Sequence, residues 1–227
     1  MPVTEALCFL NPLNALPGVR AGWVGRVDGV EATLDRDETL ALLRPAHESA
    51  VRSDHGRNHW WRAEQVHGKE IAVVPGPATV LAGDGLPVVP GVDGLITATP
   101  GEMLGIYVAD CGAIWLADRG SGAVGLLHSG KKGTELGILS DAIGLMAREF
   151  GTRPADLIVV LGPCIRPPHY EIDFAAEISS QAARAGVGEF HDEGHNTACD
   201  LDRHYSYRME KGRTGRMLAL ILREELS

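Results

Sequence analysis

The sequence predicts an α/β fold of the mixed α+β kind: a single domain, with a layered sheet and flanking helices. Segments that alternate with a strand period are interleaved along the whole chain with segments of helical period. No fixed-period repeat or low-complexity tract interrupts them, which argues against a bundle or a sandwich. At 227 residues, the chain is long enough for a substantial core and for one domain spanning residues 1–227.

The elements follow in order. "VRAGWVGRV" (19–27) reads as an early strand. "DRDETLALLRPAHESAVRS" (35–53) reads as a helix, capped by Asp35 with Glu38 three residues on, and kinked or split at Pro45. "NHWWRAEQVHG" (58–68) is strand-like and ends at His67, and "IAVV" (71–74) is a short strand. "PGPATVLAGDGLPVVPG" (75–91) is an exposed connection rich in Pro and Gly, and the strand "DGLITAT" (93–99) follows it. Residues 105–138 read as two apolar strands joined by the turn Arg119-Gly120-Ser121-Gly122, then a helix from about Thr134 to Glu149. In that helix Leu136, Ile138, Leu139, Ile143, Leu145 and Met146 form a packing stripe. "LIVVLGPCI" (157–165) is typical of a buried strand, and "DFAAEISSQAARAG" (173–186) is an Ala-rich helix. "MLALILREE" (217–225) fits either strand or helix by period.

Composition narrows the partners. With 21 basic and 30 acidic residues the net charge is −9, which gives no attraction to nucleic acid or to an acidic membrane surface. The beginning has no positive segment ahead of an apolar one, and no apolar run approaches the ~20 residues of a membrane span, so a cytoplasmic protein is expected. Cys8, Cys111, Cys164 and Cys199 are scattered without a CxxC, so free thiols are expected rather than a disulfide scaffold or zinc ribbon.

Chemistry concentrates around the hairpin. If Asp118 pairs with Ala123 across the turn, Cys111 falls opposite Gly130 and His128 opposite Ala113. The thiol and imidazole are then diagonal neighbours on one face. Cysteine is among the most buried residue types, so the pair alone also fits ordinary core packing. His67, in Gln65-Val66-His67-Gly68, completes a His-Cys-His set. Three nitrogen or sulfur donors suit a catalytic zinc, which keeps a fourth position for water or substrate. After His128, Ser129-Gly130-Lys131-Lys132-Gly133-Thr134 opens a helix, where free amides and two lysines fit an anion such as phosphate, or simply a solvated turn. Near the end, Arg203, Arg208, Arg213 and Arg216 surround Tyr205 and Tyr207, a combination able to stack on a base and hold oxyanions. Arg203 and Arg213 also read as plain surface residues. His47, His55, His59, His169, His191, His195 and His204 lack such convergence and read as ordinary surface or core histidines.

Taken in order, "QVHG" (65–68), "DGLITATPGEMLGIYVADCGAIWLAD" (93–118), "LLHSG" (126–130), "LGPCIRPPHYEI" (161–172) and "YSYRMEKGRTGR" (205–216) resemble the blocks of the laccase-domain purine nucleoside phosphorylase family, also known as polyphenol oxidase. The resemblance implies a mixed α/β single domain with zinc at His67, Cys111 and His128. It further implies phosphorolysis of adenosine, inosine, guanosine or S-methyl-5′-thioadenosine, with adenosine deamination in some members. From its place beside Cys111, Asp110 is expected to support the metal or move a proton, and Arg26, Gln65, Lys131, Lys132 and Arg208 are expected to meet nucleoside and phosphate. The chain would act as a monomer or small homo-oligomer. The sequence departs from the family in three places. His128-Ser129-Gly130-Lys131-Lys132-Gly133 replaces the usual HAGWRG, and Gly25-Arg26 replaces Thr-Arg. The stretch between Tyr170 and Tyr205 is short, with His195 where a cysteine is common. The alternatives are a copper-dependent phenol oxidase, which the lack of HxH or HxxHxH clusters disfavours, a Cys111–His128 hydrolase, and a binding protein that keeps the metal without turnover.

Overall fold

In the computed structural model, which describes residues 8–55 and 59–224 (52–55 by backbone alone), the strands gather into two main sheets. The chain runs α1 (Asn11–Asn14), β1 (Val19–Val24), α2 (Arg36–His55), β2 (His59–Arg62), β3 (Ile71–Val73), β4 (Val80–Leu81), β5 (Pro87–Val88) and β6 (Gly94–Thr97). It continues through β7 (Glu102–Val108), β8 (Gly112–Asp118), β9 (Val124–Ser129), α3 (Lys131–Glu135), α4 (Ile138–Phe150), β10 (Leu157–Leu161), α5 (Phe174–Ala185), β11 (Glu189–Asp192) and β12 (Met217–Arg223). One sheet has the order β1-β12-β7-β2 and the other β11-β10-β8-β9-β6-β3, while β4 and β5 form a small ribbon.

Alternating side chains fix how these sheets stack. Leu104, Ile106 and Val108 of β7 and Met217, Ala219 and Ile221 of β12 share one core with Ala113, Trp115 and Ala117 of β8. The opposite residues face outward to the helices. Ile114, Leu116, Val159 and Leu161 pack with Ile138, Leu139 and Ile143 of α4 and Phe174 and Ile178 of α5. Met103, Tyr107, Leu218 and Leu220 cluster with Leu40 of α2. The layers are therefore helix, four-stranded sheet, six-stranded sheet, helices, which is the layered mixed fold that the interleaved pattern predicts.

The hairpin register is the expected one: Ala113 faces His128, Gly112 faces Ser129, and the Asp118 amide donates to the Ala123 carbonyl at 2.9 Å. Several boundaries differ. Residues 105–118 are two strands in two different sheets, and the chain crosses between them at Ala109-Asp110-Cys111, with Asp110 at φ 83°. Both strands are buried on both faces, so their apolar run carries no periodic mark of the break. Cys111 thus precedes β8 rather than lying inside a strand. The 58–68 strand stops at Arg62, and Gln65 and His67 adopt left-handed backbone (φ 66° and 60°) in the loop beyond. The helix expected over 134–149 is split into α3 and α4 at Gly137, φ 79°.

α2 continues through Pro45, and the Asp35 carboxylate accepts from the Asp37 and Glu38 amides as an N-cap should. The Glu38 carboxylate accepts from the Thr33 hydroxyl instead of reaching back to residue 35. The 75–91 connection contains the ribbon and a buried Asp84, ion-paired to Arg62 at 2.6 Å, so it is not wholly an exposed loop. β12 resolves the final segment as a strand. The readings of residues 1–7, Asn58, Glu225 and the His55 side chain lie outside the described residues. No helix among the described residues is long and apolar enough to cross a membrane.

Candidate active site and metal centre

The site begins with Asp93, which precedes β6. Because β6 pairs with β9 so that Gly94 faces Leu127, Asp93 falls opposite His128. The His128 amide donates to the Asp93 carbonyl at 2.7 Å, and His128 Nδ1 lies 2.8 Å from Asp93 Oδ1. The same carboxylate accepts from the amides of Val66 (3.2 Å), His67 (2.9 Å) and Gly68 (2.6 Å). The left-handed residues of this loop turn successive amides towards one acceptor, a nest around an anion. Gln65 secures the loop from the other side. Its Nε2 donates to the Tyr107 carbonyl at 2.5 Å, and its Oε1 accepts from the Tyr107 amide at 2.8 Å.

Cys111 enters where the chain changes sheets, opposite Gly130. A Cβ on Gly130 would stand 2.6 Å from Cys111 Sγ, so glycine leaves the thiol its place. The donor atoms of His67, Cys111 and His128 all lie within 4.8 Å of one another, and the two imidazoles meet edge to face at 4.8 Å. Burial pushes the Cys111 thiol up, but the charge and hydrogen bond of His128, followed by those of His67, outweigh it and bring it down to about 6. Burial pulls His128 down, but Cys111 and Asp93 outweigh it and raise it to about 9. Asp93 lies below the usual carboxylate range: burial opposes ionisation, but the hydrogen bonds from His128 and the loop amides prevail. A thiolate beside two imidazoles, one oriented by a carboxylate, fits a borderline-soft divalent metal with a position left open.

A cavity of about 660 Å³ opens onto this cluster. Of the residues expected at the site, Gln65, His67, Asp110, Cys111, His128, Lys131, Lys132 and Arg208 line it, and Arg26 does not. Arg26 pairs with Glu210 at 2.7 Å, donates to the His204 carbonyl at 3.2 Å and stacks on Tyr205 at 4.3 Å. It therefore braces the loop that carries Tyr207 and Arg208. Asp110 is a brace as well: its two oxygens accept from the Thr197 hydroxyl and the Arg208 amide, both at 2.7 Å. Gln65 lines the cavity with its amide already engaged by Tyr107. The carboxylate bonded to the His128 ring is Asp93, which the sequence reading did not single out.

Arg216 and Tyr207, from the Arg/Tyr set expected to hold oxyanions and stack on a base, also line the cavity, whereas Arg36, Tyr107, Tyr170 and Phe174 escaped the sequence reading as site residues. The signal for Asp93 was present, since an acid directly ahead of the all-buried β6 requires partners inside. Tyr170 and Phe174 meet edge to face at 6.0 Å, with Arg208 over the Tyr170 ring at 4.9 Å.

The model of the family described as multi-copper polyphenol oxidoreductase laccase matches residues 18–177 and 169–224. The chain is 32% identical over 199 residues to purine nucleoside phosphorylase YlmD of Geobacillus stearothermophilus, covering 73% of each chain. It is 31% identical over 232 residues to a purine nucleoside phosphorylase of Deinococcus radiodurans, covering 89% of this chain and 86% of that one. The crystal structure of YlmD from Geobacillus stearothermophilus superposes with a TM-score of 0.76 at 28% identity, over 92% of this chain and 93% of that one. Neisseria meningitidis protein NMB0706 shares the fold, with a TM-score of 0.71 at 22% identity over 92% and 96% of the two chains. With the family model spanning nearly the whole described chain and such relatives alongside it, this chain belongs to the laccase-domain family that includes purine nucleoside phosphorylases.

Proposed function

We propose that this protein is a zinc-dependent purine nucleoside phosphorylase acting on adenosine, inosine, guanosine or S-methyl-5′-thioadenosine, with adenosine deamination as a second reaction of the same cavity. What supports this most is one cavity lined by the His-Cys-His cluster, by aromatic side chains and by an excess of cationic ones. His67, Cys111 and His128 would hold the zinc, which supplies Lewis acidity when bound. Tyr170, Phe174 and Tyr207 offer flat faces to a purine. The cations draw phosphate, whose oxygen displaces the base at the ribose anomeric carbon, giving free base and ribose 1-phosphate, or 5-methylthioribose 1-phosphate from S-methyl-5′-thioadenosine. Nucleoside and phosphate are then the partners of a cytoplasmic monomer or small homo-oligomer.

One observation favours a second reading. Cys111, His128 and Asp93 stand in series, the arrangement of a cysteine hydrolase with an oriented base. That chemistry has no use for His67, so His67→Ala would leave a hydrolase active and abolish a zinc-dependent reaction. The copper alternative needs several metal sites, and among the described residues there is a single group of three metal-donor side chains.

The test is incubation with adenosine, inosine and S-methyl-5′-thioadenosine, with and without phosphate, followed by product separation and metal analysis. Phosphate-dependent base release with about one zinc per chain is expected. Base release in neither condition, or copper at several equivalents with oxygen uptake on phenols, would overturn the proposal.

A further inference from the structure

Among the described residues, two guanidinium groups that line the cavity make no ion pair, the Asp110 carboxylate acting on Arg216 only from a distance. Arg216, half-buried, donates through Nη1 to the carbonyls of Thr214 (3.1 Å) and Gly215 (2.8 Å), and among the described residues it has no ion pair. Arg36, the first residue of α2, reaches only the Glu64 carbonyl at 3.5 Å and likewise has no ion pair among the described residues. The two sense each other: burial first, then the Arg36 charge, holds Arg216 below its usual value. The remaining wall cations differ. Arg208 is paired with Glu171 at 3.1 Å and stacked on Tyr170, while Lys131 and Lys132 are exposed on the five-residue α3.

Two like charges lining one cavity repel each other, and half-burying one of them without an ion pair costs stability. An anion between them reverses both effects. Guanidinium presents a planar fork of donors that matches a tetrahedral oxyanion, so two such forks on one cavity can hold the group by charge-assisted hydrogen bonds. Arg216 also lies within electrostatic reach of Cys111, so an anion held here sits in the same chamber as the His-Cys-His cluster.

We propose that Arg36 and Arg216 together form a subsite for a phosphate group, in the same cavity as the metal-donor cluster. Two sources share this chemistry: inorganic phosphate, and the ester phosphate of a nucleoside monophosphate. The choice of inorganic phosphate as the physiological occupant rests on the phosphorolysis reading. The subsite itself rests on the two unpaired guanidiniums, and it moves the phosphate away from the Lys131-Lys132 turn.

Calorimetric titration of the metal-loaded protein with inorganic phosphate, and separately with adenosine 5′-monophosphate, tests it. Wild type is compared with Arg36→Met, Arg216→Lys and, as a control outside the cavity, the exposed Arg213→Met. The two cavity variants should weaken phosphate binding by about tenfold or more, with zinc content unchanged and Arg213→Met like wild type. In turnover, the KM for phosphate should rise in parallel while that for nucleoside stays. Arg36 is exposed, so its variant keeps the test valid if Arg216→Lys fails to fold. Tighter binding of adenosine 5′-monophosphate than of phosphate, with the same arginine dependence, supports the subsite and assigns it to the ester. Phosphate affinity within about twofold of wild type in both variants, or no anion binding by wild type, overturns it. Phosphorolysis with an unchanged phosphate KM in both variants removes the subsite and leaves the function standing. Arginine-dependent binding without phosphorolysis does the reverse.

Discussion

One carboxylate, that of Asp93, holds both histidine donors in place, since it bonds the His128 ring and wraps the loop that presents His67. Asp93→Asn keeps the shape but loses the charge and one acceptor, so affinity for the proposed zinc should fall by about 10–100-fold in competition with a chelator. The sign of its pH effect follows from its depressed value. Asp93 contributes stability above its unfolded value, and this is lost as pH falls through the lower folded one. The acid limb of stability should therefore flatten in Asp93→Asn. The metal-free Cys111–His128 pair behaves differently: the thiolate protonates as pH falls through about 6, and the imidazolium deprotonates as pH rises through about 9, so both are charged in between. Alkylation of Cys111 after zinc removal should titrate near 6, and His128→Gln should move that midpoint upward. Alkylation that begins only near the ordinary thiol value of 9.0 in wild type would refute the ion pair. At this scale the sequence was legible where a turn fixed neighbours, as for Cys111 opposite Gly130. For Asp93 it offered an acid ahead of a buried strand but not the partners, which are backbone amides of a distant loop.

The candidate site lies where elements break. The crossing between β7 and β8 delivers Cys111, and the end of β9 delivers His128 and then Gly130 as the N-cap of α3. Gly130 has ordinary backbone angles (φ −100°), so its requirement is space: an added Cβ would collide with the thiol. Gly130→Ala should therefore lose zinc, by about tenfold or more in affinity, while its circular dichroism stays that of wild type. Unchanged zinc binding would mean the thiol is not held opposite residue 130. The same breaks were the hardest features to read. An apolar run buried on both faces shows no period, so β7 and β8 merged, and Gly137 inside a continuous apolar stripe gave no sign that α3 and α4 part there. Arg36 was hidden for a related reason, because a charged residue in the first turn of a helix normally faces water.

Taken as a whole, the molecule carries a net charge of −9, yet it gathers Arg36, Lys131, Lys132, Arg208 and Arg216 around one cavity. A cationic mouth in an acidic body focuses the field on the entrance, so that an anion repelled elsewhere is drawn to the site. Within this set Lys131 and Lys132 lie outside the proposed Arg36–Arg216 subsite, and they differ from Arg216 in exposure. Lys131 and Lys132 stand in solvent and act through a field that salt screens over about 8–10 Å, whereas Arg216 is half-buried and, in the proposed subsite, would contact the anion directly. Lys132→Ala should therefore lower kcat/KM for phosphate by about threefold at low ionic strength, with the difference fading as salt rises, and Lys132→Arg should restore it. Zinc content should not change in either variant. The loss in Arg216→Lys should persist at high salt, because a fork of short hydrogen bonds is screened far less than a distant charge. A salt-independent loss in Lys132→Ala would place that ammonium on the phosphate itself, and an unchanged rate at every ionic strength would remove the lysine turn from the path of the anion.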